Sequence, residues 1–136
     1  MGRILGIDPG ERRIGLAVSD ELQITAQGLD TFDRKAGVDF FAHVSTLLSQ
    51  LGVEEIVVGD PIHLSGDAGE SAEMARSLAG ELQRRFEVEV TLWDERFSSE
   101  EAKRVLKGSR AKKGTVDRLA AVIILQSYLD FRGRDS

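Results

Sequence analysis

The stretch that most constrains the fold is GIDPGERRIGLAVSD, residues 6–20. The segment RILGID, which ends inside it at Asp8, is almost continuously apolar, as expected for a central strand buried on both faces. A Pro-Gly turn follows, and a second apolar segment begins at residue 13, which predicts an antiparallel pair of strands. Asp8 is then either an ordinary turn residue, because Asp-Pro-Gly is a common turn sequence, or a metal-binding carboxylate at the open edge of a sheet.

Apolar periodicity organises the rest of the chain as an α/β domain. After a third predicted strand, helices and strands alternate, and each strand–helix–strand unit predicts a right-handed parallel crossover. We therefore expect a five-stranded mixed sheet, with a three-strand antiparallel start and parallel strands after it, and helices on both faces. The later predicted strands cover residues 24–32, 54–61 and 88–95; the predicted helices cover 38–51, 68–86, 98–108 and 116–131, the last capped by Thr115.

Size and composition exclude several classes of protein. A chain of 136 residues suits a single domain, residues 1–136. It contains no cysteine, which excludes disulfides and thiolate metal sites. No apolar run approaches the roughly 18 residues that a membrane span requires, and the N-terminus lacks the pattern of a secretory signal. We expect a cytoplasmic protein with no membrane partner.

The charge of the chain is distributed unevenly. Residues 103–118 contain seven basic residues and one acidic residue, so this segment carries +6 and leaves −11 for the rest of a chain whose net charge is −5. Such a contrast indicates a local anionic partner, although an ordinary solvated surface also explains a basic cluster.

Carboxylates follow three of the predicted strands where ligands of open α/β sheets bind, beyond the carboxyl ends. They are Asp8, Asp60, and the pair Asp94 and Glu95. Successive strand residues point to opposite faces, so only one of Asp94 and Glu95 should aim at a given site. Hard divalent cations such as Mg²⁺ take oxygen ligands, and two such ions can activate water for phosphodiester cleavage. The alternatives are a turn role for Asp60 and an ion pair of Glu95 with Arg96.

Asp117 is the fourth candidate acid, in the first turn of the last predicted helix. Its side of that helix is small and apolar, which predicts packing on the sheet and directs Asp117 toward the strand ends. The helix dipole alone also favours an acid at this position. The residues at helical spacing from Asp117 are Ala120, Ala121, Ile124, Leu125 and Tyr128.

Four segments together resemble a known family. The segments GIDPGERRIGLAVSD, IVVGDPIHLSGDAGESA, WDERFSSEEA and VDRLAAVIILQSYL match, in order and approximate spacing, the bacterial YqgF family of Holliday-junction-resolvase-like and pre-16S ribosomal RNA nucleases. The resemblance implies a ribonuclease H-like fold and a nuclease site for Mg²⁺ or Mn²⁺ made of Asp8, Glu95 and Asp117. It implies a role in maturing the 5′ end of 16S ribosomal RNA in a ribosomal precursor particle.

One residue, Asp60, departs from the pattern of the family. Asp60 stands where the family commonly has an apolar residue after glycine. It either adds a fourth acid near the metals or is a turn residue, and we favour the turn.

Before Asp117, the basic residues Arg110, Lys112 and Lys113 are predicted to contact phosphates, which position a substrate without reading its sequence. Arg12 and Arg13, in the turn after Asp8, are further candidates for phosphate contact.

The sequence therefore predicts a small metal-dependent nuclease acting on RNA, as a monomer or homodimer. The first alternative is cleavage of branched DNA, which a symmetric dimer would perform on a symmetric junction. The second is a non-catalytic nucleic-acid-binding module, which predicts loss of the acids, yet all three are present. A sugar kinase or actin-like ATPase also begins with an Asp-x-Gly hairpin, but those folds need two such domains.

Overall fold

The computed structural model describes residues 2–10, 12–35, 37–60, 68–94 and 113–134, the side chains of 68–71, 113–117 and 134 excepted. The predicted helix 98–108 lies outside this part of the chain. In chain order the elements are β1 (Arg3–Asp8), β2 (Arg13–Ser19), β3 (Ala26–Gly28), β4 (Phe32–Asp33), α1 (Phe40–Leu51), β5 (Val53–Asp60), α2 (Ala68–Arg85), β6 (Glu89–Asp94) and α3 (Lys113–Arg134). The last helix begins two residues before its predicted cap, Thr115, so that cap was misplaced.

The strands form a mixed sheet in the order β3-β2-β1-β5-β6, with β4 paired to β2. The strand β2 is antiparallel to both of its neighbours, β3 and β1, and β5 and β6 continue the sheet in parallel with β1. This arrangement confirms the predicted antiparallel start and parallel continuation. No helix within the described ranges is long and apolar enough to cross a membrane.

The predicted third strand, residues 24–32, is wrong as one continuous strand. β3 pairs Gly28 with Ala17 of β2, and β4 pairs Phe32 with Ile14. Between these pairs, the three residues 29–31 lie opposite the two residues 15–16 of β2. One strand thus has one residue more than its partner, as in a β-bulge. The extra residue reverses the facing: Ala26 packs toward α3, whereas Phe32 packs on the other face against α1.

Helices cover both faces of the sheet, as predicted. α1 and α2 cover one face, with Val44 and Leu82 fully buried there, and α3 covers the other. Helix α1 starts at the side-chain cap of Asp39, which accepts from Phe41 N, and stops at Gly52, whose φ of 64° is left-handed. The two faces are called the α1/α2 face and the α3 face below.

Helix α3 packs closely on the sheet and runs antiparallel to β1. A Cβ on Gly6 would lie 2.8 Å from the Cβ of Leu125, so glycine permits this close approach. The direction follows from β3, which runs parallel to β1. Its residue Ala26 is bonded to Gln126, whereas Gly28, two residues later, contacts Arg118. The first turn of α3 therefore lies at the end of the sheet where β1 and β5 end.

Candidate nuclease site

Asp8 lies at the carboxyl end of β1 and on the α3 face. It is half-buried, and in the register of the hairpin it pairs with Gly15. Leu5 and Ile7 of β1 belong to the core beneath α1 and α2, and Ile4 belongs to the core beneath α3. Since strand side chains alternate between faces, Asp8 shares the side of Ile4.

A close backbone approach holds the turn that follows Asp8. A Cβ on Gly10 would lie 2.2 Å from the carbonyl oxygen of Arg13, so this position accepts glycine alone without rearrangement. The turn is bonded to the residue that directly follows β4: Arg34 Nε donates to Gly10 O at 2.8 Å, and Arg34 N donates to Arg12 O at 2.8 Å. The backbone that follows Asp8 is thus held by contacts with Arg13 and Arg34.

Asp60 lies on the opposite face of the sheet from Asp8. It is the last residue of β5, 4% exposed, and shares its side of the strand with Val58 in the α1/α2 core. Its Oδ2 lies 3.7 Å from Arg76 Nε of α2, and its Oδ1 makes no hydrogen bond within the described residues. The preferred interpretation of Asp60 as a turn residue was wrong, because it is a buried strand residue with a partner on α2.

The strand β6 ends on Asp94, the first of the two successive acids of the sequence. Trp93 belongs to the α3 core, and Asp94, the next residue, pairs with Asp60 in the register of β5 and β6. Asp94 therefore has the facing of Asp60 and lies toward α2. Glu95 lies outside the described residues.

Asp117 is the fifth residue of α3 and directly follows its first turn, so the predicted first-turn position was wrong because the helix begins earlier than predicted. The backbone of Asp117 is described and its side chain is not. The predicted packing of this helix is confirmed. The side chains at helical spacing from Asp117 that are buried on the sheet are Ala121, Ile124, Leu125 and Tyr128. The helix start thus lies at the same end and on the same face of the sheet as Asp8.

The predicted phosphate contacts fall in two places. Arg12, which is exposed, and Arg13, which opens β2, lie in the turn beside Asp8. Arg110 and Lys112 lie outside the described residues, and Lys113 is the first residue of α3, with its side chain undescribed. The structure therefore brings Arg12 and Arg13 to the rim of the candidate site.

No group of three His, Cys, Asp or Glu side chains suited to a metal occurs in the described ranges. This finding is consistent with the predicted site, because two of its three acids, Glu95 and Asp117, have side chains outside those ranges. The lone His43 packs against Phe32, with ring centroids 5.3 Å apart, which fits the packing role expected for an isolated histidine.

Sequence reasoning missed a polar network at the far end of the sheet. The Glu55 carboxylate, 6% exposed, accepts from the Tyr128 hydroxyl, from Thr91 Oγ1 at 3.1 Å and from Arg132 Nη1 at 3.0 Å. It bonds the later half of α3 to β5 and β6. The available signal was the place of Glu55 directly before the apolar run of residues 56–58 in β5, since a charge that is buried there requires partners.

The fold is ribonuclease H-like, the fold of the RuvC-type resolvases. A solved structure of Thermus thermophilus RuvC in complex with Holliday junction substrate covers 98% of this chain and 96% of its own, with a TM-score of 0.60 at 18% identity. The resolvase of Fowlpox virus, solved with Holliday junction DNA, covers 96% of this chain and 98% of its own, with a TM-score of 0.56 at 12% identity.

Residues 2–131 match the RuvX family, described as a Holliday junction resolvase, and the chain belongs to this family. A relative in Koribacter versatilis is 51% identical over 138 residues, covering 98% of this chain and 90% of its own. One in Halothermothrix orenii is 41% identical over 136 residues, with 97% of both chains covered. Both are named "Putative pre-16S rRNA nuclease". The predicted enzyme class, a nuclease hydrolysing phosphodiester bonds, is confirmed.

Proposed function

We propose that this chain is a divalent-metal-dependent nuclease that cleaves RNA during maturation of the 5′ end of pre-16S ribosomal RNA. Asp8, Glu95 and Asp117 are its metal-binding acids. The observation that carries the proposal is that Asp8 and the N-terminal part of α3, which includes Asp117, lie at one end and on one face of the sheet. The names of the relatives in Koribacter versatilis and Halothermothrix orenii support the RNA substrate.

Helix and strand geometry supports the pairing of Asp8 with Asp117. Gly6 of β1 contacts Leu125 of α3, which fixes the two elements relative to each other. From there Asp8 is two residues onward, about 7 Å at a strand rise of about 3.3 Å. Asp117 is eight residues back along α3, about 12 Å at about 1.5 Å per residue. The two Cα atoms then differ by about 5 Å in height, which carboxylates converging on one cation can span.

The alternation of side chains along β6 supports Glu95 rather than Asp94 as the third acid. Asp94 has the facing of Asp60 and lies toward α2, away from Asp8. Asp60 has the same facing, which argues against its being a metal ligand of the proposed site. Its buried carboxylate lies beside Arg76 on the α1/α2 face instead.

The donor set fits a hard divalent cation. Carboxylate oxygens suit Mg²⁺ and Mn²⁺, and the chain contains no cysteine that would favour a softer metal. When bound, such a cation supplies positive charge to the scissile phosphate and makes attack by water feasible at neutral pH. Asp8 and Asp117 would hold it from two elements, and Glu95 would complete the set. Arg12, Arg13, Arg110, Lys112 and Lys113 would hold the substrate backbone by its phosphates.

The decisive assay compares three substrates: precursor 16S RNA, an unrelated single-stranded RNA and a four-way DNA junction, each with Mg²⁺ or Mn²⁺. We expect cleavage of the precursor RNA, removed by Asp8→Asn and by Glu95→Gln with an unchanged thermal transition. Asp94→Asn is the matched control, because its carboxylate lies toward α2, and it should retain activity. Full activity of Asp8→Asn would sink the proposed mechanism.

Cleavage of branched DNA is the second candidate function. It is favoured by the family description and by the fold shared with two resolvases solved on Holliday junctions. Preferential cleavage of the four-way junction by a dimeric form of the protein would establish it over the RNA substrate. Nucleic-acid binding without cleavage of any of the three substrates would favour the non-catalytic module instead.

A further inference from the structure

A row of α3 side chains contacts the edge of the sheet and leads to the proposed metal site. Gln126 is the residue of this row that lies farthest from that site: its Oε1 accepts from Ala26 N at 2.9 Å, and its Nε2 donates to Ile24 O at 2.9 Å. Positions 122 and 118 follow at intervals of four residues, the spacing that places side chains on one side of a helix. The row thus approaches Asp117 one turn at a time along β3.

Arg118 ends this row and lies directly on the backbone of the sheet. A Cβ on Gly28 would lie 2.4 Å from the Cγ of Arg118 and 2.6 Å from its Cδ, so the stem of Arg118 needs a glycine beneath it. Its Nη2 donates to Asp30 Oδ1 at 3.0 Å, in the bulged segment between β3 and β4. Its Nε is buried and makes no hydrogen bond in the described part of the chain. The side chain is therefore held by packing and by one charged partner.

We propose that Arg118 is a positioning residue for Asp117, acting through a clamp formed by Arg118, Gly28 and Asp30. The clamp fixes the N-terminal part of α3, which includes Asp117, at the height of Asp8. This inference rests on the proposed function, because it takes Asp117 to be a metal ligand.

The place of the clamp along α3 explains how it would restrict the position of Asp117. Among the side chains of α3 that are described, from residue 118 onward, Ala121 is the first fully buried apolar one, and Arg118 contacts the sheet before that point. The first turn of a helix lacks the intrahelical partners of its N–H groups and frays readily, and Asp117 directly follows that turn. Loss of the clamp would widen the positions that Asp117 samples without unfolding the domain.

The energetics separate this role from a general contribution to stability. The Asp30 side chain is fully exposed and that of Arg118 is 42% exposed. Exposed ion pairs contribute little to the free energy of unfolding. A positioning role therefore predicts that metal binding changes much more than the thermal transition does.

The test measures Mn²⁺ binding to the full chain by titration calorimetry, together with the Mg²⁺ concentration that gives half-maximal cleavage. For Arg118→Ala we expect the Mn²⁺ Kd to rise on the order of 10-fold, as for residues that orient a metal ligand. The cleavage rate at saturating Mg²⁺ and the Tm should be largely retained. Arg118→Lys, which keeps the stem and the charge, should restore most of the affinity.

Two further variants make the test specific. Gly28→Ala should weaken Mn²⁺ binding by displacing Arg118, and the double variant with Arg118→Ala should be no weaker than Arg118→Ala alone, since the two act through one contact. Arg132→Ala is the matched control, because Arg132 also pairs with a carboxylate, Glu55, at the other end of α3. It should leave the Mn²⁺ Kd unchanged.

The outcomes distinguish this inference from the proposed function. If Asp8→Asn binds Mn²⁺ as tightly as the unaltered chain, the proposed metal site itself is wrong. If Asp8→Asn loses Mn²⁺ but Arg118→Ala binds it normally, only the role of Arg118 is overturned. The role of Arg118 is also overturned if Arg132→Ala weakens Mn²⁺ binding as much as Arg118→Ala does. It is likewise overturned if the effects of Gly28→Ala and Arg118→Ala on Mn²⁺ binding are additive.

Discussion

At the scale of single residues, the facing of a side chain decides which acids can share a site. The sequence placed Asp8 and Asp60 at the carboxyl ends of two strands, and that placement is correct. It did not give their facing, because β1 and β5 pair with a register shift between Arg3 and Ile4 that depends on both strands at once. Asp8 therefore lies toward α3 and Asp60 toward α2, and the turn interpretation of Asp60 was wrong.

Gly10 makes a close backbone contact in the turn that follows Asp8. A Cβ at this position would overlap the carbonyl oxygen of Arg13. We expect Gly10→Ala to lower the free energy of unfolding by about 1 to 3 kcal/mol, the usual cost of overpacking. Nuclease activity should fall with it, because the turn after Asp8 must shift. Urea denaturation and the RNA cleavage assay measure the two effects.

Gly133→Ala is the control for this change. Nothing lies within 4 Å of a Cβ at Gly133, which is in α3, so alanine should leave stability unchanged or slightly raised. Equal stability of the Gly10→Ala and Gly133→Ala variants would contradict the close contact with Arg13.

At the scale of elements, periodicity predicted most strands and helices, since it reports which side of each element is buried. The bulge between β3 and β4 was missed because it arises from the pairing of this segment with β2. The sequence of residues 24–32 alone does not give that pairing. Helix α3 shows both outcomes. Its buried side was predicted from spacing, whereas its bond to Glu55, far away in the sequence, was not.

The bond between Tyr128 and Glu55 predicts a pH dependence of stability. Burial, together with the hydrogen bond to the Glu55 carboxylate, raises the pKa of Tyr128 from 10.0 to about 12. The folded protein holds this proton more tightly than the unfolded chain does. The resulting stabilisation is therefore fully present below pH 10 and is lost as the pH rises through about 12.

Tyrosinate absorbance reports this titration directly, because the chain contains a single tyrosine. Glu55→Gln should move the midpoint down toward the ordinary value, since it removes the negative charge that favours the protonated hydroxyl. A midpoint at the ordinary value in the unaltered protein would contradict the buried contact with Glu55. Urea denaturation across the same pH range measures the matching loss of stability.

At the scale of the whole molecule, the charge distribution predicts how substrate binding responds to salt. Replacing Arg110, Lys112 and Lys113 together by glutamine should weaken RNA binding. It should also reduce the slope of log affinity against log salt by about 2, at roughly 0.7 per contact with a single strand. Fluorescence anisotropy with labelled RNA across a salt series measures this.

Arg84→Gln with Arg85→Gln is the control for this prediction. Both arginines lie in the last turn of α2, before the start of β6 and so at the opposite end of the sheet from Asp8. Their removal should leave the slope unchanged. An equal drop in slope for both sets would show that net charge, rather than the segment beside Asp117, governs binding.

The single tryptophan gives the molecule a built-in optical probe. Trp93 is buried, its ring lies 5.2 Å from that of Tyr128 and 5.1 Å from that of Phe131, and its Nε1 donates to Ser127 Oγ at 3.1 Å. These partners all belong to α3, and Trp93 precedes Glu95 by two positions. Its emission wavelength, and energy transfer from the only tyrosine, therefore follow the seating of α3 on the sheet in unlabelled protein in solution.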